Sequence, residues 1–301
     1  MSNKYLRFWG VRGSYAAPFD SHLKVGGNTS CVEISADGHT LICDAGTGII
    51  PLGNELVKGN ARELMLLLTH YHWDHVCGLP FFVPAFLKEW TLNFFGPGND
   101  RQDVEKHVSA QMKAPYFPVG TESWLAKINY VCPTNDTLQH GPMRITFRNV
   151  HHPGATFGYR ICVNSKTVIY ISDNECKFIE KSVSKQRSEL NHEEQSLYDD
   201  LVREEHQSEL EIIGNADILI HDAQYTTEDY NRKRGWGHSC YIDTVNMAID
   251  AGVKELYLYH HDPNYDDEMI ENIHQHALEI ISERKSGLKC HVAREGLRVD
   301  L

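Results

Sequence analysis

The sequence predicts an α/β protein, in which short buried strands alternate with amphipathic helices. Apolar runs of strand length, such as residues 66–68, 167–172 and 255–259, recur along the 301-residue chain. Residues 241–251 and 266–285 repeat apolar side chains with the 3.6-residue period of a helix, and each leads into a strand. No Gly/Ser-rich or Pro-rich linker divides the chain, so we expect a single domain over residues 1–301.

The remaining segments fit the same alternation. Residues 31–36 and 40–43 have the pattern of a β-hairpin, and residues 51–58 and 100–112 have the pattern of helices.

The most informative segment is residues 66–75, where a leucine run precedes four potential metal ligands: His70, His72, Asp74 and His75. Alternate residues of an extended chain point the same way, so the first two histidines can bind one ion while Asp74 and His75 turn toward a second. The end of a strand in an α/β sheet is also where functional groups reach solvent. A histidine-rich surface loop explains this spacing less well, so we expect two metal ions.

The order His-x-His-x-Asp-His after a core strand resembles the signature of the metallo-β-lactamase superfamily, and the likeness covers nearly the whole chain. The resemblance implies a four-layer αββα sandwich, with two mixed β-sheets face to face, helices outside and a dinuclear metal site at one edge. It also implies that Asp44, at the end of an earlier strand, braces the metal loop and does not bind metal.

The resemblance supplies three further ligands, each after a strand-like run. Either His151 or His152 would be the third histidine, and the likeness to members with a His-Pro-Gly step favours His152. Asp173 would bridge the two metals, and His260 would be the last ligand. Isolated capping aspartates or core histidines would not be expected at one strand end after another. The complete expected set of metal ligands is His70, His72, Asp74, His75, His152, Asp173 and His260.

Two divalent metal ions per chain are expected, with zinc favoured and manganese or iron as alternatives. The non-hydrolytic diiron members of the superfamily carry Glu at the position of His72, and hard oxygen ligands suit iron better than a third imidazole does. Many of the β-lactamases carry Cys at the position of Asp173, so the aspartate favours the bridged centre of phosphodiesterases and thioester hydrolases. Two bridged cations would lower the pKa of a shared water and neutralise charge on a phosphoryl oxygen.

Residues 219–224 and 237–239 resemble the His-Glu-Ala-Thr and His-Ser-Thr motifs of the tRNase Z branch, with Asp222 replacing the glutamate. In that branch the acid orients the histidine that protonates the leaving oxygen, so the resemblance implies a relay of Asp222 and His238. The alternative is that His238 caps the helix that starts near Tyr241. The expected catalytic residues are Asp74, Asp222 and His238.

Composition bears on the size of the substrate. The chain has 29 Lys plus Arg against 41 Asp plus Glu, a formal net charge of −12. Binding a polynucleotide by its backbone requires basic patches, and the nearest candidates, residues 181–187 and 232–234, are short and more typical of solvated surface. The charge therefore favours a small substrate with one phosphodiester, such as a cyclic nucleotide, over long nucleic acid.

Two glycine-containing segments, residues 8–14 and 26–30, resemble a bacterial subgroup of these hydrolases and contain candidate substrate-binding residues, Arg12 and Asn28. A guanidinium matches phosphate oxygens bidentately. The alternative for Arg12 is a pairing with a neighbouring acid that fixes the loop. For Asn28 the choice between substrate binding and a structural role is likewise open.

Residues 175–214 are least explained by the shared fold and are interpreted as a helical acidic insertion. Residues 193–213 have the pattern of an acidic helix with a thin apolar stripe at Leu197, Leu201 and Val202. A solvated helix is the expected role. A lid over the metal edge and a dimer contact are the alternatives, because the segment follows Asp173 closely.

The predicted function is metal-dependent hydrolysis of a phosphodiester in a small nucleotide. Three alternatives stay open: an RNA-processing endonuclease of the tRNase Z type, a thioester or lactone hydrolase, and a non-hydrolytic diiron sensor. The eight cysteines contain no Cys-x-x-Cys pair, and residues 1–8 lack an apolar signal core, which favours a cytoplasmic protein that does not enter a membrane. A homodimer is compatible with the sequence.

Overall fold

The computed structural model describes residues 4–132, 137–183 and 187–301, and within these ranges the chain forms fourteen strands and eight α-helices. Residues 1–3 of the N-terminal segment and residues 184–186 of the acidic segment therefore lie outside the described residues. The strands are β1 (Tyr5–Gly10), β2 (Cys31–Ala36), β3 (His39–Cys43), β4 (Glu63–Leu67), β5 (Thr91–Phe95), β6 (Lys127–Val131), β7 (Thr137–His140), β8 (Met143–Asn149), β9 (Phe157–Val163), β10 (Lys166–Ile171), β11 (Ile218–Asp222), β12 (Glu255–Tyr259), β13 (Lys289–Val292) and β14 (Arg298–Asp300).

The helices are α1 (Ile49–Leu56), α2 (Trp73–Val76), α3 (Arg101–Ala110), α4 (Phe178–Val183), α5 (His192–Ile213), α6 (Thr227–Arg232), α7 (Tyr241–Asp250) and α8 (Asp267–Glu283). Helices α1, α3, α5, α7 and α8 match predicted segments, whereas α2, α4 and α6 were not predicted as separate helices. Helix α1 starts two residues before the predicted Pro51, because proline is tolerated within the first turn of a helix.

The strands form two mixed sheets of seven strands each. The first sheet has the order β14-β1-β2-β3-β4-β5-β6, and the second has the order β13-β12-β11-β10-β9-β8-β7. Strands β2 and β3 pair antiparallel, which confirms the predicted hairpin.

Strand β4 shows how the layers are stacked. Leu64 and Leu66 pack into the core that includes residues of α1 and α3, whereas Met65 and Leu67 pack into the core that includes residues of the second sheet. Successive side chains of a strand point to opposite faces, so an unbroken apolar strand is covered on both sides. Helices α7 and α8 pack on the second sheet through residues such as Val245 and Ile270. The predicted four-layer αββα sandwich is confirmed.

The order of the parallel strands creates one functional edge. Strand β3 runs parallel to β4, and β10 runs parallel to β11, which runs parallel to β12. The carboxyl ends of parallel strands meet at the same edge of a sheet. Asp44, Asp173 and His260 follow β3, β10 and β12 within two residues, so the topology collects the expected site residues from both sheets.

The acidic segment packs differently from the prediction. The prediction that an apolar stripe with Leu197 and Leu201 packs the helix is wrong, because these residues are 61% and 41% exposed. Helix α5 packs instead through Tyr198, Glu205 and Glu209, since their side chains take part in hydrogen bonds with residues at and just before α4. Polar side chains carry the contacts with α4, which a hydrophobic periodicity does not reveal, whereas Ile212 and Ile213 at the end of α5 pack into the hydrophobic core.

Among the helices of the described residues, none combines the length and the apolar content needed to cross a lipid bilayer.

Candidate metal centre

The expected metal ligands come together at the carboxyl edge of the sheets in two groups. The first group, which we call the three-histidine group, is His70, His72 and His152. The second, which we call the mixed group, is Asp74, His75, Asp173 and His260. Within each group the potential ligand atoms lie within 4.8 Å of one another. The motif at residues 70–75 therefore contributes to both groups, as its spacing indicated.

Asp173 lies between the two groups. Its Oδ2 is 3.9 Å from Nε2 of His70 and 3.8 Å from Nε2 of His152. Its Oδ1 is 3.1 Å from Nε2 of His75 and 3.5 Å from Nε2 of His260. One carboxylate oxygen thus faces each group, which is the arrangement required of a bridging ligand.

The side chains fit a pair of divalent cations. Nε2 of His70, Nε2 of His75 and Oδ1 of Asp173 are buried and make no well-aligned hydrogen bond, although the last two atoms lie 3.1 Å apart. Buried polar atoms are nearly always paired, so three unpaired atoms in one cluster indicate ligand positions. Imidazole nitrogens combined with carboxylate oxygens are suitable ligands for zinc, and they also accept manganese or iron.

The electrostatics of the site favour the ligand forms of His70 and Asp173 but a protonated His75, whose proton a bound cation would displace. Burial lowers the pKa of His70 well below its usual value, which keeps the imidazole neutral. Burial alone would raise the pKa of Asp173, but the imidazoles of His260 and His75 hold it well below the usual range. Burial likewise opposes charge on His75, yet the carboxylates of Asp173 and Asp74 raise its pKa well above the usual value. This concentration of negative charge is what divalent cations would neutralise.

Asp44 supports the mixed group from outside. Its Oδ2 accepts hydrogen bonds from Nδ1 of His75 and from the hydroxyl of Tyr170, both at 2.8 Å. Its Oδ1 accepts from the backbone N–H of Thr69 at 2.8 Å. A hydrogen bond to Nδ1 leaves Nε2 of His75 as the available lone pair. The carboxylate therefore has the bracing position that the resemblance implied.

The candidate ligands His260 and His152 are also oriented by neighbours. Nδ1 of His260 lies 2.9 Å from Oε1 of Gln224, and Nδ1 of His152 lies 2.8 Å from the carbonyl oxygen of Gly237. A side chain at position 237 would not fit, because its Cβ would lie 2.4 Å from Nδ1 of His152 and φ is +87°. Asp44 and His260 both have φ of 59°, a left-handed conformation that non-glycine residues adopt mostly under constraint.

Asp222 and His238 form the pair that the relay requires. Nδ1 of His238 lies 2.8 Å from Oδ2 of Asp222, which also accepts from the backbone N–H of Asn174 at 3.1 Å. Burial opposes charge on His238, but the carboxylate of Asp222 outweighs it and raises the pKa of the imidazole. The alternative role as a helix cap is wrong, because α7 begins after Cys240 with no side-chain cap.

The position of His238 also permits a role as a ligand. Its Nδ1 is 3.7 Å from Oδ2 of Asp173, and its ring stacks on His260 with centroids 5.0 Å apart. The potential ligand atoms of His152, Asp173 and His238 lie within 4.8 Å of one another, as the ligands of one metal ion would. The relay requires the protein to keep its metals when His238 is replaced, whereas the ligand role requires a loss of metal.

The adjacent residues His151 and His152 have different surroundings. His152 belongs to the three-histidine group, whereas Nε2 of His151 lies 3.3 Å from Oε1 of Glu205 and its ring stacks on Phe178. This placement agrees with the preference for His152 as the ligand.

The two candidate substrate-binding residues have structural partners. Arg12 is fully buried, and its guanidinium donates to the carbonyl oxygens of Gly26, Asp262 and Tyr265. We therefore correct its assignment: it ties loops together instead of offering an exposed guanidinium to a phosphate. Asn28 is likewise engaged, because its backbone N–H and its side-chain amide both donate to Glu295.

Sequence reasoning missed several residues that shape the site. Gln224 lies inside a motif that was singled out, but its contact with His260 joins two different strand ends. The backbone N–H of Ser14 donates to Oδ2 of Asp74 at 2.7 Å, and Tyr170 reaches Asp44 from the other sheet. The only local signal for these residues was their place at strand ends or in glycine-containing loops.

Comparison with known proteins agrees with this geometry. Ribonuclease Z from Haloarcula marismortui is 24% identical over 274 residues, which cover 79% of this chain and 82% of that protein. The metallo-beta-lactamase fold protein YhfI from Bacillus subtilis has a TM-score of 0.69 at 19% identity, with 100% of both chains covered. A diphosphatase from the PhnP family has a TM-score of 0.60 at 15% identity, with 99% of this chain and 98% of that chain covered. The family model of the metallo-beta-lactamase superfamily matches residues 25–201, more than half of the sequence, and the chain therefore belongs to this superfamily.

Proposed function

We propose that this chain is a metal-dependent hydrolase of phosphodiesters in small nucleotides, such as cyclic nucleotides. The observation that carries the proposal is the Asp222–His238 pair lying directly against the two ligand groups that share Asp173. Two divalent cations held there would activate a water and neutralise charge on a phosphoryl oxygen.

The chain's own residues would handle the leaving group. Asp222 accepts from Nδ1 of His238 and so fixes the orientation of the ring, which makes Nε2 the nitrogen that can donate to a substrate. An alkoxide is a poor leaving group, so a positioned acid contributes about 10²–10⁴-fold to the rate. A thioester hydrolase would not need this pair, because a thiolate leaves readily without a proton donor. A lactone also expels an alkoxide, so only a substrate panel separates lactone hydrolysis from phosphodiester hydrolysis.

The comparisons and the charge support different substrate sizes. The similarity to ribonuclease Z favours the second candidate function, an RNA-processing endonuclease of the tRNase Z type. The formal net charge of −12 favours a small substrate, because binding a polynucleotide releases counterions from basic patches. A diiron sensor is disfavoured by the third imidazole of the three-histidine group.

A substrate panel assayed together with metal content tests the proposal. We expect turnover of a 3′,5′-cyclic nucleotide and of bis-p-nitrophenyl phosphate, with about two metal ions per chain as two ligand groups require. Precursor tRNA, an acyl thioester and a lactone should be poorer substrates. Selective cleavage of precursor tRNA would establish the second candidate, and turnover of the thioester or lactone alone would refute phosphodiester hydrolysis.

The relay is tested by His238→Ala with two leaving groups. The variant should keep its metals yet lower kcat on an alkyl phosphodiester by about 10²–10⁴-fold. The defect should shrink on a p-nitrophenyl ester, whose leaving group needs little protonation. Asp222→Asn should lower kcat less. An equal loss on both substrates, or loss of metal from His238→Ala, would show that His238 is a ligand or a structural residue.

A further inference from the structure

A cavity of about 470 Å³, counting its open mouth, adjoins the three-histidine group. Its lining includes His152, the rings of His151 and Phe178, and the backbone at Gly235 and Gly237. We propose that this cavity is a nucleobase-binding subsite, in which the base of the substrate stacks on Phe178. The inference rests on the proposed function, because it assumes that the substrate is a nucleotide.

The aromatic wall suits a planar ligand. The rings of His151 and Phe178 are stacked, with centroids 5.5 Å apart and an interplanar angle of 22°. Phe178 is 37% exposed and the His151 side chain is 40% exposed, so the pair presents ring surface to the cavity. Aromatic side chains bind nucleobases by stacking, and every base has a face that can stack.

The acidic segment holds this wall in place. Phe178 is the first residue of α4, and the backbone N–H of the next residue, Ile179, donates to Glu205 at 2.9 Å. The same carboxylate lies 3.3 Å from Nε2 of His151. Glu205 is 6% exposed and belongs to α5, so one buried carboxylate positions both rings. The segment 175–214 thereby acquires a role at the site.

The opposite wall is also preorganised. The carboxylate of Glu175 accepts from the backbone N–H groups of Gly235 and Gly237, both at 3.0 Å, and from the hydroxyl of Tyr230 at 2.8 Å. Glu175 is 1% exposed, so these donors, and not water, satisfy its carboxylate oxygens. The loop that carries Gly237 also positions His152, through the carbonyl of Gly237.

The position of the leaving oxygen places the nucleobase on the His238 side of the two ligand groups. In a cyclic nucleotide the leaving oxygen stays attached to the ribose that carries the base. His238 follows Gly237, and its ring centroid is 5.1 Å from that of His152. Both Gly237 and His152 line the cavity. A nucleotide whose leaving oxygen faces His238 therefore has its base close to Phe178.

The test compares a base-bearing and a base-free substrate. The first is cyclic AMP, and the second is the same 3′,5′-cyclic ribose phosphate with a methoxy group in place of adenine. We expect Phe178→Ala to raise KM for cyclic AMP by about 10- to 100-fold, the loss of one stacked base, with little change in kcat. KM for the base-free substrate should not change, and Phe178→Trp should retain the wild-type KM for both substrates. The control is Leu278→Ala on α8, since Leu278 is also 37% exposed.

The outcomes separate the subsite from the proposed function. Equal KM values for the two substrates in the wild type, or an equal rise for both in Phe178→Ala, would refute the subsite and leave phosphodiester hydrolysis standing. A merely structural role of Phe178 would change both substrates alike. If the metal-loaded protein hydrolyses no phosphodiester, the proposed function fails, and calorimetric titration with AMP decides the subsite. If AMP binds and Phe178→Ala weakens this binding, the subsite is supported. If AMP does not bind, or binds the variant equally well, the subsite is refuted.

Discussion

Replacement of Asp44 by asparagine tests how His75 is prepared to bind a metal. Both oxygens of Asp44 act as acceptors: Oδ1 accepts from the backbone N–H of Thr69, and Oδ2 accepts from Nδ1 of His75 and from the hydroxyl of Tyr170. All four residues are buried. Water is therefore a poor substitute for any partner that the substitution removes.

Asparagine has the same shape as aspartate but only one acceptor oxygen. With that oxygen toward Thr69, the amide NH₂ faces Nδ1 of His75, and the imidazole avoids the conflict by moving its proton to Nε2. With the amide reversed, the buried N–H of Thr69 loses its acceptor, at a cost of about 1–3 kcal/mol. The first orientation is expected, and it removes the lone pair of the Nε2 that lies 3.1 Å from Oδ1 of Asp173.

The magnitude follows from this change of tautomer. Loss of the group that orients a metal-binding histidine lowers metal affinity by about 10–100-fold. Here the affected histidine belongs to the mixed group, so we expect its metal affinity to fall by about 100-fold, or about 2.7 kcal/mol. The three-histidine group does not contact Asp44 directly and should keep its ion. Metal content should fall from about two ions per chain to about one.

Chelator competition and elemental analysis measure both effects. Tyr170→Phe is the matched control, because it removes one donor to the same oxygen and adds none. This control should cost about 0.5–1.5 kcal/mol of unfolding free energy and keep both metals. Wild-type affinity for two ions in Asp44→Asn would refute the tautomer argument. Joint loss of both ions would show that Asp44 supports the whole loop and not His75 in particular.

Two further predictions concern the ligand set and the acidic segment. Elemental analysis should show loss of metal in Asp173→Ala and His152→Ala but not in His151→Ala, and metal loss in His151→Ala alone would overturn the ligand choice. Burial raises the pKa of Glu209 to about 7, whereas an unfolded glutamate titrates near about 4.3, so this residue should make the protein less stable as pH rises through that window. Urea unfolding should then find Glu209→Gln more stable than the wild type above about pH 7, by on the order of 3 kcal/mol, with the difference vanishing at about pH 4. A difference independent of pH would contradict the assignment.

The fold was predictable because its signals are local. The leucine run before His70, the hairpin at residues 31–43 and the period of α8 each depend on neighbouring residues, and the structure confirms them. The face of α5 was not predictable in this way. Glu205 and Glu209 are residue types expected at the surface, but both are buried because their carboxylates accept hydrogen bonds from backbone N–H groups just before and within α4.

One assignment failed, and one contact was missed, for a related reason. Arg12 has the chemistry of a phosphate ligand, but the carbonyl of Tyr265 that it binds is 253 residues away in sequence. Gln224 was part of a recognised motif, yet its role depends on His260, at the end of another strand. Residue type alone does not distinguish a group that meets substrate from one that holds loops together.

The sequence by itself determined the α/β class, the resemblance to the superfamily and the candidate ligands, because strand periodicity and the spacing of residues 70–75 are encoded within short segments. Only the tertiary structure decided which candidate ligands lie together in one group, that the oxygens of Asp173 face different groups, and that Phe178 lies beside His151. Those relations join residues on separate elements and on both sheets, such as Tyr170 and Asp44, which are 126 residues apart. Their geometry is set by how the sheets pack, and no local pattern in the chain records it.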